Sequence, residues 1–201
     1  MKLVILDRDG VINFDSDAYI RRPEEWKAIP GSLEAIALLT QAGYHVAVAT
    51  NQAGVGRGLF EMATLNAIHD KMHRAVGLAG GRIDAVFYCP HAQEADCSCR
   101  KPKPGLFEEI GRRFGANLAG VPSVGDSLRD LQAGVAVGCK PHFVQTGKAA
   151  RLDAAELAAV QSAVPQAKIH PDLASFVHDL LHEERIERGD AAEPDSVFGV
   201  L

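Results

Sequence analysis

The sequence predicts an α/β protein, a doubly wound parallel sheet with helices on both faces and so three layers in all. Three observations predict it. Short apolar runs recur along the chain with little of the in-out alternation of half-exposed antiparallel strands, which suits strands covered on both sides. Segments with helical periodicity lie between these runs. Acids, a hydroxyl and glycines follow the runs directly, at the strand ends beyond which open α/β sheets bind their ligands.

The first strand is Leu3-Val4-Ile5-Leu6, and it runs straight into Asp7-Arg8-Asp9-Gly10, two acids spaced i, i+2 before a turn-forming glycine. Asn13 to Ile29 has no sustained period and reads as a long loop over that strand end. Ser32 is placed as N-cap of a helix with Leu33, Ile36, Ala37 and Thr40 on one face, and Gly43 stops it. His45 to Ala49 is the second strand, and Thr50 to Gly58 is a glycine-rich loop. Leu65, Ile68, Met72 and Val76 mark the core stripe of a second helix, closed by Gly80-Gly81. His69 and His73, four apart on that helix with no third ligand nearby, read as a solvated or half-buried face.

Ala85 to Tyr88 is a third strand, followed by a loop from Cys89 to Cys99. Phe107, Ile110 and Phe114 stripe a helix opened by Pro104-Gly105. Val121 to Val124 is a short strand ending in Gly125-Asp126, Leu128, Leu131 and Val135 mark the next helix, and Pro141 to Val144 is read as the last strand. The sheet is expected to end there. An alanine-rich helix over Asp153 to Ala163 and an amphipathic one from about Pro171 to Glu184 follow. Residues 1–188 are expected to form one domain and 189–201 a mobile tail.

Composition narrows the function classes. The 201 residues are 47% hydrophobic and 23% charged, enough for one sizeable core. A net charge of −5 gives no footprint for nucleic acid or an anionic membrane, so neither partner is expected. No apolar run is long enough to cross a bilayer and the chain enters a strand at once, so a cytoplasmic protein is expected. No large apolar stripe is left over, and a monomer is expected. Three of the four cysteines crowd beside a histidine, which favours metal binding over disulfides in a reducing compartment.

The chemistry gathers at one edge of such a sheet. Asp7 and Asp9 close strand one, Thr50 closes strand two, Asp126 closes strand four, and Arg100-Lys101 stand just before a helix. Three carboxylates in one small space repel one another unless a cation sits among them, and an all-oxygen ligand set points to a hard octahedral ion such as Mg²⁺. A metal, a lysine and a hydroxyl around that space suit a phosphoryl group, whose oxygens must be neutralised before an anionic nucleophile can reach phosphorus. One aspartate can then form an aspartyl phosphate while the other protonates the leaving alcohol and later activates water.

Asp7-Arg8-Asp9-Gly10, Thr50-Asn51-Gln52, Lys101 and Gly125-Asp126-Ser127-Leu128-Arg129-Asp130 resemble, in order, the four motifs of the haloacid dehalogenase superfamily of phosphatases, over roughly Lys2 to Lys148. The resemblance implies a Rossmann-like sheet of the haloacid dehalogenase type, with Asp7 as nucleophile and Asp9 as general acid and base. Thr50 and Lys101 would hold the phosphoryl oxygens. Mg²⁺ would take the carboxylates of Asp7 and Asp126 and the backbone carbonyl of Asp9, with Asp130 supporting them from behind. Neither the segment after Ile12 nor that after Gly58 is long enough for a large cap domain, so a minimal cap is expected.

Cys89, His91, Cys97 and Cys99 supply the Cys₃His set of a closed structural zinc site. Zn²⁺ there would stiffen the loop and aim Arg100 and Lys101 at the substrate. Cys139 reads as a small buried residue. Two families of the superfamily combine such a loop with a minimal cap: phosphatases of D-glycero-D-manno-heptose 1,7-bisphosphate, which remove its C7 phosphate in ADP-heptose and lipopolysaccharide core synthesis, and histidinol-phosphate phosphatases of histidine synthesis. The five residues between His91 and Cys97 are a spacing also usual in the histidinol family.

The stretches Arg8 to Asn13, Thr50 to Phe60 and Arg100 to Gly105 resemble the heptose family more closely, and the resemblance implies a sugar bisphosphate as substrate. Asp15, Asn51, Gln52, Arg57, Arg100 and Lys101 are the expected substrate-binding residues, the two arginines meeting the remote 1-phosphate with forked hydrogen bonds. Asp15 and Asp17 could instead serve the amine of histidinol phosphate. Ser127 stands where some heptose-type members have a lysine, so that position is not expected to supply a cation to metal or phosphate. A phosphomutase on the same fold, disfavoured by the lack of a water-excluding cap, and a zinc-stabilised module without catalysis are the alternatives of other kinds.

Overall fold

The first strand, β1 (Lys2–Leu6), shows how the layers form. Leu3 and Ile5 point into one buried cluster and Val4 and Leu6 into another, as the two-residue period of a strand covered on both faces requires. The computed structural model describes residues 1–189, and of the tail expected from Gly189 onward residues 190–201 lie outside the described residues.

Six strands form one sheet: β1, β2 (Tyr44–Asn51), β3 (Ala85–Cys89), β4 (Pro122–Gly125), β5 (Lys140–Val144) and β6 (Lys168–His170). Their spatial order is β3-β2-β1-β4-β5-β6, every pairing parallel. β1 therefore pairs with β2 on one side and β4 on the other, and the winding reverses between β1 and β4. That crevice is where a doubly wound sheet binds ligands.

Seven α-helices and three short 3-10 turns (Pro23–Glu25, Gln93–Ala95 and Ala149–Arg151) complete the described fold, the α-helices being α1 (Ser32–Gln41), α2 (Ala53–Gly56), α3 (Met62–Leu78), α4 (Gly105–Phe114), α5 (Leu128–Val135), α6 (Ala154–Ala163) and α7 (Leu173–Glu187). α1, α3 and α7 cover the face reached by Val4 and Leu6, through Ile36, Leu39, Ile68, Met72, Val76, Phe176 and Val177. α4 and α5 cover the other face through Leu106, Phe107, Ile110 and Ala133, and α6 joins Leu131 of α5 over Phe143. Asp153 caps α6 in a reciprocal capping box with Glu156. Among the described residues no helix is long and apolar enough to cross a membrane.

Four expectations need correction. The sheet does not end at Val144: β6 adds an edge strand, pairing His142 with Lys168 and Val144 with His170. The glycine-rich loop after β2 winds into the single turn α2. Ser32 lies inside α1, behind Gly31 at φ 82°, and spends its hydroxyl on the Ile12 carbonyl at 2.7 Å instead of capping the helix. His69 is buried rather than on a solvated or half-buried face, because the first turn after β1 brings the Arg8 guanidinium against it. Cys139 is buried as expected.

Candidate active site

Asp7 sits one residue past β1, its amide donating to the Val124 carbonyl of β4 at 2.9 Å, so the backbone itself fixes the carboxylate at the switch point. Asp126 sits one residue past β4 and faces it. Gly10, at φ 85°, has no room for a Cβ because the Asp126 carboxylate occupies that space. The amide of Lys148 donates to Asp126 Oδ2 at 2.7 Å and holds it from the β5 side. Asp7, Asp126 and Asp130 thus bring carboxylate oxygens within 4.8 Å of one another.

Lys101 enters this cluster from the loop after β3 and is buried. Its ammonium contacts Ala49 O at 2.7 Å, Asp130 Oδ1 at 2.7 Å and Asp7 Oδ1 at 3.0 Å. Of these contacts only that to Ala49 has hydrogen-bond geometry; the other two are ion pairs, and Asp130 Oδ1 is buried without a hydrogen-bond partner, so Lys101 holds both acids by charge and keeps N–H donors for a phosphoryl oxygen. Asp130 is further engaged by Ser127, whose amide donates to Oδ2 at 3.0 Å as part of the capping box of α5 and whose hydroxyl also donates to that oxygen. With Asp130 so occupied, Asp7 and Asp126 remain to offer oxygens to a cation.

Electrostatics argue that a cation belongs there. Burial pushes Asp7 up to about 7, against the pull of Lys101 and with help from the charges of Asp130 and Asp9. Burial, Asp130 and Asp7 push Asp126 up to about 8. Two carboxylates unwilling to ionise together fit a divalent ion that would let both do so, and their oxygen-only character fits Mg²⁺. Lys101 stays protonated, since the attraction of Asp130 and Asp7 outweighs the penalty of its burial.

Asp9 lies in the same cavity but in another environment. Arg8 donates to it from Nε and Nη2, both at 2.9 Å; Asn13 Nδ2 and Gln52 Nε2 each donate at 2.9 Å. Burial pushes its carboxyl up, but Arg8, Asn13 and Gln52 win and hold it below the ordinary carboxylate range. Gln52 also donates to the Thr50 hydroxyl at 2.9 Å, joining the end of β2 to Asp9. Asn51 and the backbone of Lys101 exchange two hydrogen bonds of 3.1 Å, tying β2 to the cation-bearing loop.

These groups surround a polar cavity of about 300 Å³ lined by Asp7, Asp9, Thr50, Asn51, Gln52, Lys101, Asp126 and Asp130, with Asp15, Arg57 and Arg100 also on its wall. All the residues proposed from sequence for substrate therefore meet there. Arg57 reaches Glu94 at 3.3 Å on the exposed rim, whereas Nη1 of Arg100 is buried with no partner. Asp15 pairs with Lys148 at 3.3 Å and Asp17 with Arg151 at 2.7 Å, so two ion pairs join the long loop after β1 to the segment after β5. Sequence reasoning missed Lys148 and Arg129 on the cavity wall; the position of Lys148, directly after a strand end and a glycine, was the available signal for the first.

Beside the cavity, Cys89, His91, Cys97 and Cys99 gather as free thiols and one imidazole. The Cys89 and Cys97 sulfurs are 3.5 Å apart, and His91 Nδ1 is 3.5 Å from Cys89 Sγ and 3.3 Å from Cys99 Sγ. A tetrahedron with zinc bond lengths of about 2.0–2.3 Å has edges of roughly 3.5 Å, so the donor set fits Zn²⁺ without rearrangement. Arg100 and Lys101 follow the last thiol directly.

Comparison with known proteins places this geometry. Residues 2–129 match the polynucleotide kinase 3 phosphatase family model and residues 98–176 the HAD-hydrolase-like model. The chain is 55% identical over 91% of its length to the D-glycero-beta-D-manno-heptose-1,7-bisphosphate 7-phosphatase of Bordetella bronchiseptica, covering 99% of that protein. It is 48% identical over 90% of its length to the Pseudomonas putida protein of the same name, covering 100% of it. The crystal structure of the B. bronchiseptica D,D-heptose 1,7-bisphosphate phosphatase complexed with magnesium and phosphate superposes with a TM-score of 0.86, covering 91% of this chain and 99% of that one.

Proposed function

Since this chain belongs to the heptose-1,7-bisphosphate 7-phosphatase family of haloacid dehalogenase-type hydrolases, we propose that it removes the C7 phosphate of D-glycero-D-manno-heptose 1,7-bisphosphate and leaves the 1-phosphate in place. The observation that carries this reading is the pairing of Asp7 with Asp126 across the β1/β4 crevice, Lys101 against Asp7, with Arg100 and Arg57 lining the same cavity.

Asp7 is the nucleophile: a carboxylate oxygen bonds to phosphorus as the bond from phosphorus to the C7 oxygen breaks, and Asp9 gives that oxygen its proton. Water then attacks the aspartyl phosphate, Asp9 takes the water's proton and the Asp7 carboxylate is regenerated. The proton gained in the second step is the one delivered in the next first step, and because Arg8, Asn13 and Gln52 favour the Asp9 carboxylate, they make Asp9 a ready donor of that proton. Mg²⁺, held by Asp7, Asp126 and the Asp9 carbonyl, would neutralise the phosphoryl oxygens when bound. Lys101 fixes the direction of Asp7 and turns an N–H to the phosphoryl group as Asp7 Oδ1 becomes engaged. Thr50 donates to a second phosphoryl oxygen, while Asp130 keeps Lys101 charged and in place. Zn²⁺ at the four-residue loop would hold Arg100 and Lys101 in register.

At the far end of the substrate, Arg100 offers a buried donor with no protein partner, which suits an anionic 1-phosphate. The acids an amine-bearing substrate would need are already taken, Asp15 by Lys148 and Asp17 by Arg151, which favours the heptose bisphosphate over histidinol phosphate. We extend the proposal to a cytoplasmic monomer, one domain over 1–188, serving ADP-heptose and lipopolysaccharide core synthesis. The test is phosphate release from heptose 1,7-bisphosphate and from histidinol phosphate side by side with Mg²⁺, ³¹P NMR following which phosphate remains. Preference for the bisphosphate with the 1-phosphate retained is expected; preference for histidinol phosphate overturns the substrate assignment and leaves the chemistry standing.

A further inference from the structure

Arg8 is the residue between the two site acids, and its side chain is completely buried. Two of its donors fork onto the two oxygens of Asp9. Its remaining terminal nitrogen, Nη1, lies 3.2 Å from Nε2 of His69, on α3 and 61 residues further along the chain. A guanidinium can only donate, so Nε2 must accept and His69 must be the neutral tautomer with its proton on Nδ1. Burial and the Arg8 charge agree, pushing the imidazole down to about 3.

His69 is buried beside the α3 core stripe, next in sequence to Ile68, with the Tyr88 ring of β3 6.0 Å away. A polar group at such a site costs stability unless it is satisfied, and the Arg8 contact is where it is satisfied. The contact also fixes the roll of the guanidinium. Without an acceptor for Nη1, the buried fork could relieve its unpaired donor only by rotating off the Asp9 oxygens.

We propose that His69, acting through Arg8, is a positioning residue that sets the orientation of the Asp9 carboxylate, and that the two together form the clamp for the acid-base step. The proposal rests on the reading of Asp9 as general acid and base. It places a determinant of turnover on α3, outside all four motifs and without any contact between His69 and the substrate cavity.

The test separates the half-reactions with p-nitrophenyl phosphate, whose leaving group needs no proton, so that only hydrolysis of the phosphoenzyme depends on Asp9. In His69→Phe the first turnover of nitrophenolate should keep its wild-type rate while the steady state falls about tenfold, giving a burst; with a sugar phosphate kcat should fall by a similar factor and KM stay unchanged. His69→Gln, which restores an acceptor, should recover most of the loss. Arg8→Lys keeps the buried charge without the fork and should give the same burst, so the proposal remains testable if His69→Phe folds poorly. Asp9→Asn is the reference and should show the burst with almost no steady state. Near-wild-type turnover in Asp9→Asn overturns the reading of Asp9 itself. A blocked Asp9→Asn with wild-type steady-state rates in the folded His69 and Arg8 variants, or with burst and steady state lowered equally, overturns only the clamp.

Discussion

Acidification should weaken this fold by a calculable amount through His142. Its ring is buried between β5 and α7, with Nδ1 3.0 Å from His170 Nε2 and its centroid 4.6 Å from that of Phe176. Burial, followed by the charges of His170, Lys168 and Lys140, pushes it down to about 3, the attraction of Asp179 being too weak to compensate. An unfolded-chain histidine titrates near about 6.5, so below that pH the unfolded state takes a proton that the folded state refuses. The stabilisation is complete above about pH 6.5 and is lost as pH falls toward the folded value; at about pH 5 the loss is about 2 kcal/mol. His69, pushed down to about 3 by burial and Arg8, adds a similar amount. Urea unfolding of wild type and His142→Gln from about pH 7.5 to about pH 5 reads the difference, in which the titrating site carboxylates cancel. The variant should start about 1 kcal/mol less stable and lose about 2 kcal/mol less across the range. Parallel curves would refute the burial argument for His142.

Three further outcomes follow from the site. Lys101→Met leaves Asp7 and Asp130 without their shared counter-charge, so urea unfolding should show about 3 kcal/mol of destabilisation and phosphate release should drop at least about a hundredfold. Gly147→Ala puts a methyl group into the space of Asp126 and Gly10 at a backbone φ of 56°, and titration of activity with Mg²⁺ should show about tenfold weaker metal dependence or worse. Elemental analysis should find about one zinc per chain, and its removal or Cys97→Ser should lower kcat about tenfold and expose the Gln93–Ala95 turn to proteolysis while far-ultraviolet circular dichroism stays nearly constant.

The two strands that end in Asp7 and Thr50 were legible because burial on both faces demands apolar side chains at nearly every position, and Leu3 to Leu6 and Val46 to Ala49 supply them. β6 was not legible. Lys168-Ile169-His170 contains one apolar residue in three, and it is a strand only because the backbone of β5 beside it needs hydrogen-bond partners. The turn α2 is hidden by its glycines, whose composition signals a loop even where Phe60 packs over Gly54. The acid, hydroxyl and lysine set could be read from strand ends and Asp130 could be expected behind it, yet its partners could not, since nothing in the sequence says that Asp130 would pair with Lys101 and accept from Ser127. His69 escaped for a similar reason: its burial depends on Arg8, which approaches from a turn far away in the chain.

If Asp7 attacks phosphorus, a covalent adduct forms on its carboxylate and can be trapped. Asp9→Asn is mixed with Mg²⁺ and p-nitrophenyl phosphate, quenched in acid, reduced with borohydride and digested for mass spectrometry. Because the step that clears the aspartyl phosphate is blocked, homoserine should replace aspartate at position 7, and no adduct should form when Asp7 is asparagine. Nitrophenolate release without that conversion, or reduction at another carboxylate such as Asp126, would rule out Asp7 as the nucleophile.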